Sequence, residues 1–134
     1  MNNNKTAIIT GAGTGIGKGI ALKFADNNFN LVLASRNVNN LNNVKKECDL
    51  LNNNSSVVIQ TDITDEKSVE NLFSESKSKF GKIDVLINNS GVFDGGALDE
   101  MSVETWDKVI SVNLRGAFLC LRQAMKLMKF QKYG

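Results

Sequence analysis

The segment Thr10–Gly17 reads TGAGTGIG and stands between a short apolar run and the start of a helical pattern. Its glycines follow the spacing G-x-x-x-G-x-G, formed by Gly11, Gly15 and Gly17. Glycine lets the backbone approach a phosphate closely, and the first turn of a helix offers free N–H groups and a positive dipole end. The segment therefore predicts a binding loop for the pyrophosphate of a dinucleotide. A tight strand-to-helix turn without a ligand is the alternative.

Short apolar runs alternate with segments of helical period on both sides of this loop. Four runs are continuous, which predicts strands buried on both faces: Ala7–Ile9, Leu31–Ala34, Val57–Ile59 and Val85–Ile87. Apolar residues at three- and four-residue steps predict helices between and after them. These positions are Ile16, Ile20, Ala21, Phe24 and Ala25, then Leu41, Val44, Cys48 and Leu51, then Val69, Leu72, Phe73 and Phe80, and finally a longer stripe from Trp106 to Met128. The alternation predicts an α/β fold with a doubly wound parallel sheet, in which residues 1–134 form a single domain.

Composition bounds the chemistry that such a domain can perform. The chain has 134 residues, of which 42% are hydrophobic and 22% charged, as expected for one globular domain. It has no histidine, the commonest metal ligand and general base, so we predict no metal site. Two widely separated cysteines and the lack of a signal-like or membrane-length apolar run predict a cytoplasmic protein without a membrane partner.

Charge is unevenly distributed along the chain. All 14 acidic residues precede Lys108, whereas residues 108–134 carry only basic charges. A basic stretch can bind nucleic acid, but cations also favour the C-terminal end of a helix, and no aromatic residues interleave here for base stacking. We therefore predict no nucleic-acid partner.

The residues after the second predicted strand bear on the choice of cofactor. In doubly wound sheets, ligands bind beyond the carboxyl ends of the strands. Ser35 and Arg36 stand at this edge, where an acidic residue would be expected for the ribose 2′-hydroxyl of NAD. The guanidinium of Arg36 suits the 2′-phosphate of NADP, so NADP(H) is predicted over NAD(H). A solvated surface arginine is the alternative.

Two further edges complete the predicted site. Asp62, Ile63 and Thr64 follow the third strand, and we expect Thr64 to cap the next helix, leaving Asp62 free to face an adenine amino group. Asn88–Gly91 (NNSG) follows the fourth strand, where small and amide side chains suit a turn against a cofactor. A plain turn is the alternative for this segment.

The segments that follow the four predicted strands together resemble the short-chain dehydrogenase/reductase family, and the resemblance extends over essentially the whole chain. Thr10–Gly17 is similar to its glycine motif, and Asn88–Gly91 to its NNAG motif, in which Ser90 replaces the family alanine. The resemblance implies a Rossmann fold and places Asp62 near the adenine ring. The residues implied to contact the cofactor are Gly11, Thr14, Gly15, Ile16, Gly17, Ser35, Arg36, Asp62, Ile63, Asn89, Ser90 and Gly91.

The same resemblance implies hydride transfer between a nicotinamide and a small carbonyl or alcohol substrate. The family uses an Asn, a Ser and a Tyr-x-x-x-Lys pair, and Asn113 matches the Asn that links to the Lys through water. Tyr133 is not the catalytic tyrosine, because its lysine partner would be residue 137. We therefore expect the first half of such an enzyme, truncated after about four strands and inactive as it stands. The intact form is expected to be a homo-oligomer.

Two alternatives remain open at the level of sequence. One is a non-catalytic nucleotide-binding or interaction module, complete in 134 residues. The other is a methyltransferase that uses S-adenosylmethionine, since Gly11–Gly15 also reads G-x-G-x-G. The edges offer no carboxylate for that ligand's amine or ribose, and Arg36 would repel its sulfonium, so this reading is disfavoured. With only four strands to pack against, Phe118, Leu121, Met125 and Met128 are expected to lack part of their cover.

Overall fold

A computed structural model describes residues 4–53 and 55–134, and its centre is a single four-stranded sheet. The strands are β1 (Thr6–Thr10), β2 (Asn30–Ser35), β3 (Ser56–Gln60) and β4 (Val85–Ile87). All pairs are parallel, and the strands lie side by side in the order β3-β2-β1-β4. The predicted α/β fold with a parallel sheet is confirmed.

Helices connect the strands and cover both faces of the sheet. They are α1 (Gly15–Asp26), α2 (Val38–Leu51), α3 (Glu66–Phe80), α4 (Val103–Ile110) and α5 (Ala117–Gln131). A π-helical turn, Ser111–Gly116, joins α4 to α5 in one continuous helical stretch. Within the described ranges, no helix is long and apolar enough to cross a membrane.

Alternate residues of the strands enter two separate cores. Ile9 and Leu33 face one layer, where they pack with residues of α1 and α2 such as Ala21 and Val44. On the opposite face, residues of β1, β2 and β3 pack with α3 and α5; this layer includes Ile8, Val32, Ile59, Leu72, Phe73, Leu119 and Cys120. The continuous apolar runs are thus explained, because both faces of the strands are covered.

Several positions predicted as apolar helix faces are solvent-exposed. Ile16 is 78% exposed at the start of α1, and Leu51 is 50% exposed at the end of α2. In α5, Leu119 and Ala124 pack on the sheet, whereas Phe118, Leu121 and Met125 of the predicted stripe are about half exposed. The half-exposure of these three side chains agrees with the expected lack of cover, whereas Met128 is partly buried against the core.

Candidate functional site

All twelve residues predicted to contact the cofactor line one cavity at the carboxyl ends of the strands. Its volume is about 320 Å³, and the wall is completed by Thr61, Thr64, Val92 and Val112. Thr61 directly follows β3. Because ligands bind beyond the carboxyl ends of the strands in doubly wound sheets, its place in the sequence could have identified it. Val112 belongs to the π-helical turn, and no local sequence signal points to its place in the wall.

Close approach of the backbone explains why the loop between β1 and α1 requires glycine. A Cβ atom on Gly17 would lie 2.1 Å from the carbonyl oxygen of Gly11 and 2.5 Å from Nδ2 of Asn89. Gly15 has a φ of +54°, which side-chain-bearing residues rarely adopt. Together these glycines bring the first turn of α1 against the end of β1. Within the described chain, Thr14 stands at the N-cap position without a side-chain capping bond.

Thr10 joins this glycine loop to the segment after β4. Its buried Oγ1 accepts hydrogen bonds from the backbone N–H groups of Asn89 (3.1 Å) and Ser90 (3.0 Å). It also donates to the carbonyl oxygen of Ile87 at 3.3 Å. In return, Nδ2 of Asn89 donates to the carbonyl oxygens of Thr10 (3.1 Å) and Gly11 (3.2 Å). Sequence reasoning assigned Thr10 no such linking role.

The turn after β2 is fixed through its carbonyl groups. The Ser35 carbonyl accepts from the N–H of Thr61 (3.0 Å), and the Arg36 carbonyl accepts from Nε2 of Gln60 (3.1 Å). The Asn37 side chain caps α2 by accepting from the N–H of Asn40 at 3.0 Å. The Arg36 side chain itself is exposed and lines the cavity.

A second, more open cavity of about 700 Å³ adjoins the first at this turn. The two share Gly11, Thr14, Ser35 and Arg36. Most of the other residues around the second cavity carry side-chain amides. They are Gly13 from the loop after β1, Asn37, Val38, Asn39 and Asn40 at the start of α2, and Gln60 at the end of β3. None of these was predicted to line a site.

Thr64 does not cap α3, so that prediction is wrong. The cap is Asp65, whose carboxylate accepts from the N–H of Lys67 at 3.1 Å. Thr64 instead donates twice to Oδ1 of Asp62, from Oγ1 at 2.7 Å and from its backbone N–H at 2.9 Å. The hydroxyl, the N–H and the nearby charge of Arg36 hold the pKa of Asp62 below its ordinary value, despite opposing desolvation. Asp62 is therefore ionised and engaged rather than free.

Asn113 lies behind the cavity wall, in the π-helical turn. Its Oδ1 accepts from the N–H of Val92 and its Nδ2 donates to the carbonyl oxygen of Val92, both at 2.8 Å. Its side chain therefore faces the loop after β4 rather than the strands, and both ends of the amide are engaged. On the same turn, Arg115 donates to the carbonyl oxygen of Thr64 at 2.7 Å, which ties the turn to the wall after β3.

The amino-acid sequence is similar to that of known proteins. The family model described as short chain dehydrogenase matches residues 5–134. An uncharacterized oxidoreductase of Staphylococcus aureus strain MW2 is 34% identical over 131 residues, which cover 98% of this chain and 55% of that protein. One from Staphylococcus saprophyticus is also 34% identical. The chain thus spans about half the length of the curated relatives it matches.

Solved structures agree in fold and in coverage. An alcohol dehydrogenase from the archaeon Thermococcus sibiricus, complexed with 5-hydroxy-NADP, has a TM-score of 0.92 and 30% identity, with 98% of this chain and 56% of that chain covered. A 3-ketoacyl-(acyl-carrier-protein) reductase from Brucella melitensis, complexed with NADH, has a TM-score of 0.88 and 31% identity, with 95% and 51% covered. Similar structures therefore carry dinucleotides with and without a 2′-phosphate.

Proposed function

Because the chain belongs to the short-chain dehydrogenase family, we propose that it is the cofactor-binding portion of an NADP(H)-dependent oxidoreductase. The observation that carries this proposal is the convergence of all four strand ends on one groove. Parallel neighbours lie about 4.8 Å apart, so the ends of β2, β1 and β4 form a row long enough for an extended ligand. The groove fits an elongated molecule with an anionic centre.

The middle of that row suits a pyrophosphate. The first turn of α1 abuts the end of β1, and its N–H groups and dipole attract negative charge. The same turn carries Ile16, whose 78% exposed side chain borders the cavity and supplies an apolar surface for a ligand. Covering this side chain with a bound ligand would remove apolar surface from water and so favour binding.

Arg36 supports the choice of NADP(H) over NAD(H). It stands at the end of β2 on the border between the two cavities, where no acidic residue occupies the turn Ser35–Asn37. A guanidinium binds a phosphate through paired N–H groups, whereas a ribose hydroxyl pair is better served by a carboxylate. Asp62, at the next strand end, is held ionised by Thr64 and suits an adenine amino group.

At the other end of the row, the segment after β4 borders the proposed place of the nicotinamide half. When bound, NADP(H) donates or accepts the hydride, and the substrate is a small carbonyl or alcohol. Asn89, Ser90 and Gly91 shape the wall there, and Asn113 fixes the peptide groups of Val92 next to them. We assign Asn113 the role of the family's catalytic Asn.

The 134 residues are proposed to bind the cofactor without turning it over. The family's Ser and Tyr-x-x-x-Lys have no match among them, since the one tyrosine is Tyr133. The whole protein is proposed to be cytoplasmic and homo-oligomeric. The proposed oligomer rests on the family to which the chain belongs, and size-exclusion chromatography with light scattering on the whole protein tests it.

Isothermal titration with NADPH, NADH and S-adenosylmethionine tests the proposed function. We expect NADPH to bind more tightly than NADH and S-adenosylmethionine not to bind. Arg36→Ala should weaken NADPH binding by about tenfold and NADH binding by less than about threefold. Lys46→Ala removes an exposed cation that lines neither cavity and should change neither affinity. Binding of neither dinucleotide to the wild-type protein contradicts the proposal.

A further inference from the structure

Gln60 is the last residue of β3 and lies in register with Ser35, the last residue of β2. The parallel pairing thus brings the Gln60 side chain beside the turn that carries Arg36. Nε2 of Gln60 donates to the main-chain carbonyl oxygen of Arg36 at 3.1 Å. Gln60 and Arg36 also line the same second cavity. We propose that Gln60 is a positioning residue that orients Arg36 and keeps its surroundings free of negative charge, so that it sets the preference for NADPH over NADH.

The carbonyl groups of Ser35, Arg36 and Asn37 are each held by a hydrogen bond. The carbonyl of Ser35 is fixed by the backbone of Thr61, and the carbonyl of Asn37 accepts from the N–H of Leu41 at 3.2 Å. Between them, the carbonyl of Arg36 is bound by the Gln60 side chain. The peptide that follows Arg36 therefore depends on a side chain rather than on the sheet. A substitution at position 60 can change the direction of the Arg36 side chain without breaking a ladder bond.

The groups near Arg36 include one carboxylate, that of Asp62, and the neutral amide of Gln60. Asp62 is near enough for the charge of Arg36 to lower the pKa of its carboxyl group, but Asp62 is already engaged by Thr64. Gln60 contributes a neutral amide at the same border, so it does not form an ion pair with Arg36. A carboxylate of the same shape at position 60 would compete with the 2′-phosphate for Arg36. It would also repel the phosphate through space. The identity of residue 60 is therefore expected to change the affinity for NADPH, which carries the 2′-phosphate, more than the affinity for NADH.

This inference rests on the proposed function, because it concerns the same groove. It differs in assigning selectivity to a residue of β3 whose side chain donates to the main chain of the binding turn. A structural role alone would weaken NADPH and NADH binding equally, whereas a role through Arg36 acts on NADPH alone. The ratio of the two dissociation constants is the quantity that separates these cases.

The test uses Gln60→Glu, Gln60→Ala and a matched control, Asn27→Asp. Asn27 stands at the end of α1, about 18 Å along the helix from the groove, and its Nδ2 also donates to a main-chain carbonyl, that of Lys23, at 2.8 Å. The control therefore also converts a carbonyl-bound amide into a carboxylate, but far from Arg36. Dissociation constants for NADPH and NADH are measured by isothermal titration on each folded protein, with circular dichroism as the check on folding.

We expect Gln60→Glu to weaken NADPH binding by at least about tenfold and NADH binding by less than about threefold. Gln60→Ala removes only the hydrogen bond and should weaken NADPH binding by about threefold. Asn27→Asp should leave both constants unchanged. An unchanged ratio in Gln60→Glu overturns the inference while leaving the proposed function intact. A wild-type protein that binds neither dinucleotide, or both equally, overturns the proposed preference for NADP(H) and this inference with it.

Discussion

Two regions along the strand order β3-β2-β1-β4 differ in how completely they are packed. They are called the β1 and β2 side and the β4 side, and each includes both faces of the sheet. On the side of β1 and β2, β1 is buried throughout and β2 is buried except at Ser35, and Ile9 and Leu33 have no exposed surface. On the side of β4, all three residues Val85–Ile87 are only partly buried, and this strand forms one edge of the sheet. Most exposed large apolar side chains in the described residues also follow β4, among them Trp106 and Phe118.

This difference separates the part of the groove that is complete from the part that is not. The residues proposed to hold the pyrophosphate and the 2′-phosphate belong to the β1 and β2 side, where the backbone is fixed by buried contacts. The residues after β4 rely instead on polar links, chiefly those of Thr10 with Asn89. We therefore expect firm cofactor binding from the first side and lower local stability on the second.

The largest expected effect concerns Gly17, where the two sides meet. Gly17→Ala places a methyl group against the Gly11 carbonyl and the Asn89 amide, so we expect a loss of about 3 kcal/mol in the free energy of unfolding, together with loss of NADPH binding. Urea denaturation and titration measure both. Gly19→Ala is the control: apart from its chain neighbours and the backbone of its own helix, no atom of the described residues lies within 4 Å of the added methyl, and it should stabilise α1 by about 0.5 kcal/mol. Equal behaviour of the two variants would refute the close approach.

A pair of leucine substitutions compares the two sides directly. Leu33→Ala empties a fully buried site in β2, whereas Leu86→Ala truncates a partly buried side chain in β4. We expect losses of about 3 and about 1 kcal/mol in the free energy of unfolding, because the cost follows the buried volume removed. Urea denaturation at constant m-value provides the measurement. Equal losses would mean that the β4 side is as well packed as the other.

The two cysteines report on local opening in the two regions, since Cys48 lies in α2, before β4, and Cys120 lies in α5, which follows β4. Burial raises the pKa of the Cys48 thiol to about 11, with nearby carboxylates adding to the effect, and burial alone raises that of Cys120 to about 11. Both should react slowly with a disulfide reagent at pH 8, because little thiolate is present and access requires opening. With single-cysteine variants, we expect Cys120 to be labelled about tenfold faster than Cys48. Faster labelling of Cys48 would reverse the assigned order of stability.

The smallest expected effect concerns the well-held wall after β3. Because the folded pKa of Asp62 is lowered, its carboxylate contributes stability that is present above the unfolded pKa and is lost as the pH falls through the folded value. Thr64→Val removes the hydroxyl, which is the largest cause, so the pKa of Asp62 should rise towards 3.8. Carboxyl titration by NMR measures it. The pKa of Asp94, which is lowered by Lys108, should not change; a parallel rise there would indicate a global effect.

The sequence was sufficient to predict the strands and twelve of the residues around the groove. Continuous apolar runs and glycine spacing depend on local backbone geometry, so strand positions and the Gly11–Gly17 loop followed from them. The roles of Thr64 and Thr10 did not, because their partners are set by where neighbouring strands end. The apolar period also did not point to Leu119 as a residue of α5 that packs on the sheet, because a π-helical turn precedes α5 and apolar residues lie on several of its faces.

Titration of the ¹⁵N-labelled chain with NADPH, followed by amide chemical shifts, tests the central claim most directly. The account predicts the largest shifts at the amides of residues 11–17, at Ser35 and Arg36, at Asp62 and Ile63, and at residues 89–91, with little change in the exposed half of α5. Saturating NADPH without shifts at residues 11–17 and Arg36, or with the largest shifts in α5, would contradict a dinucleotide site at the carboxyl ends of the strands.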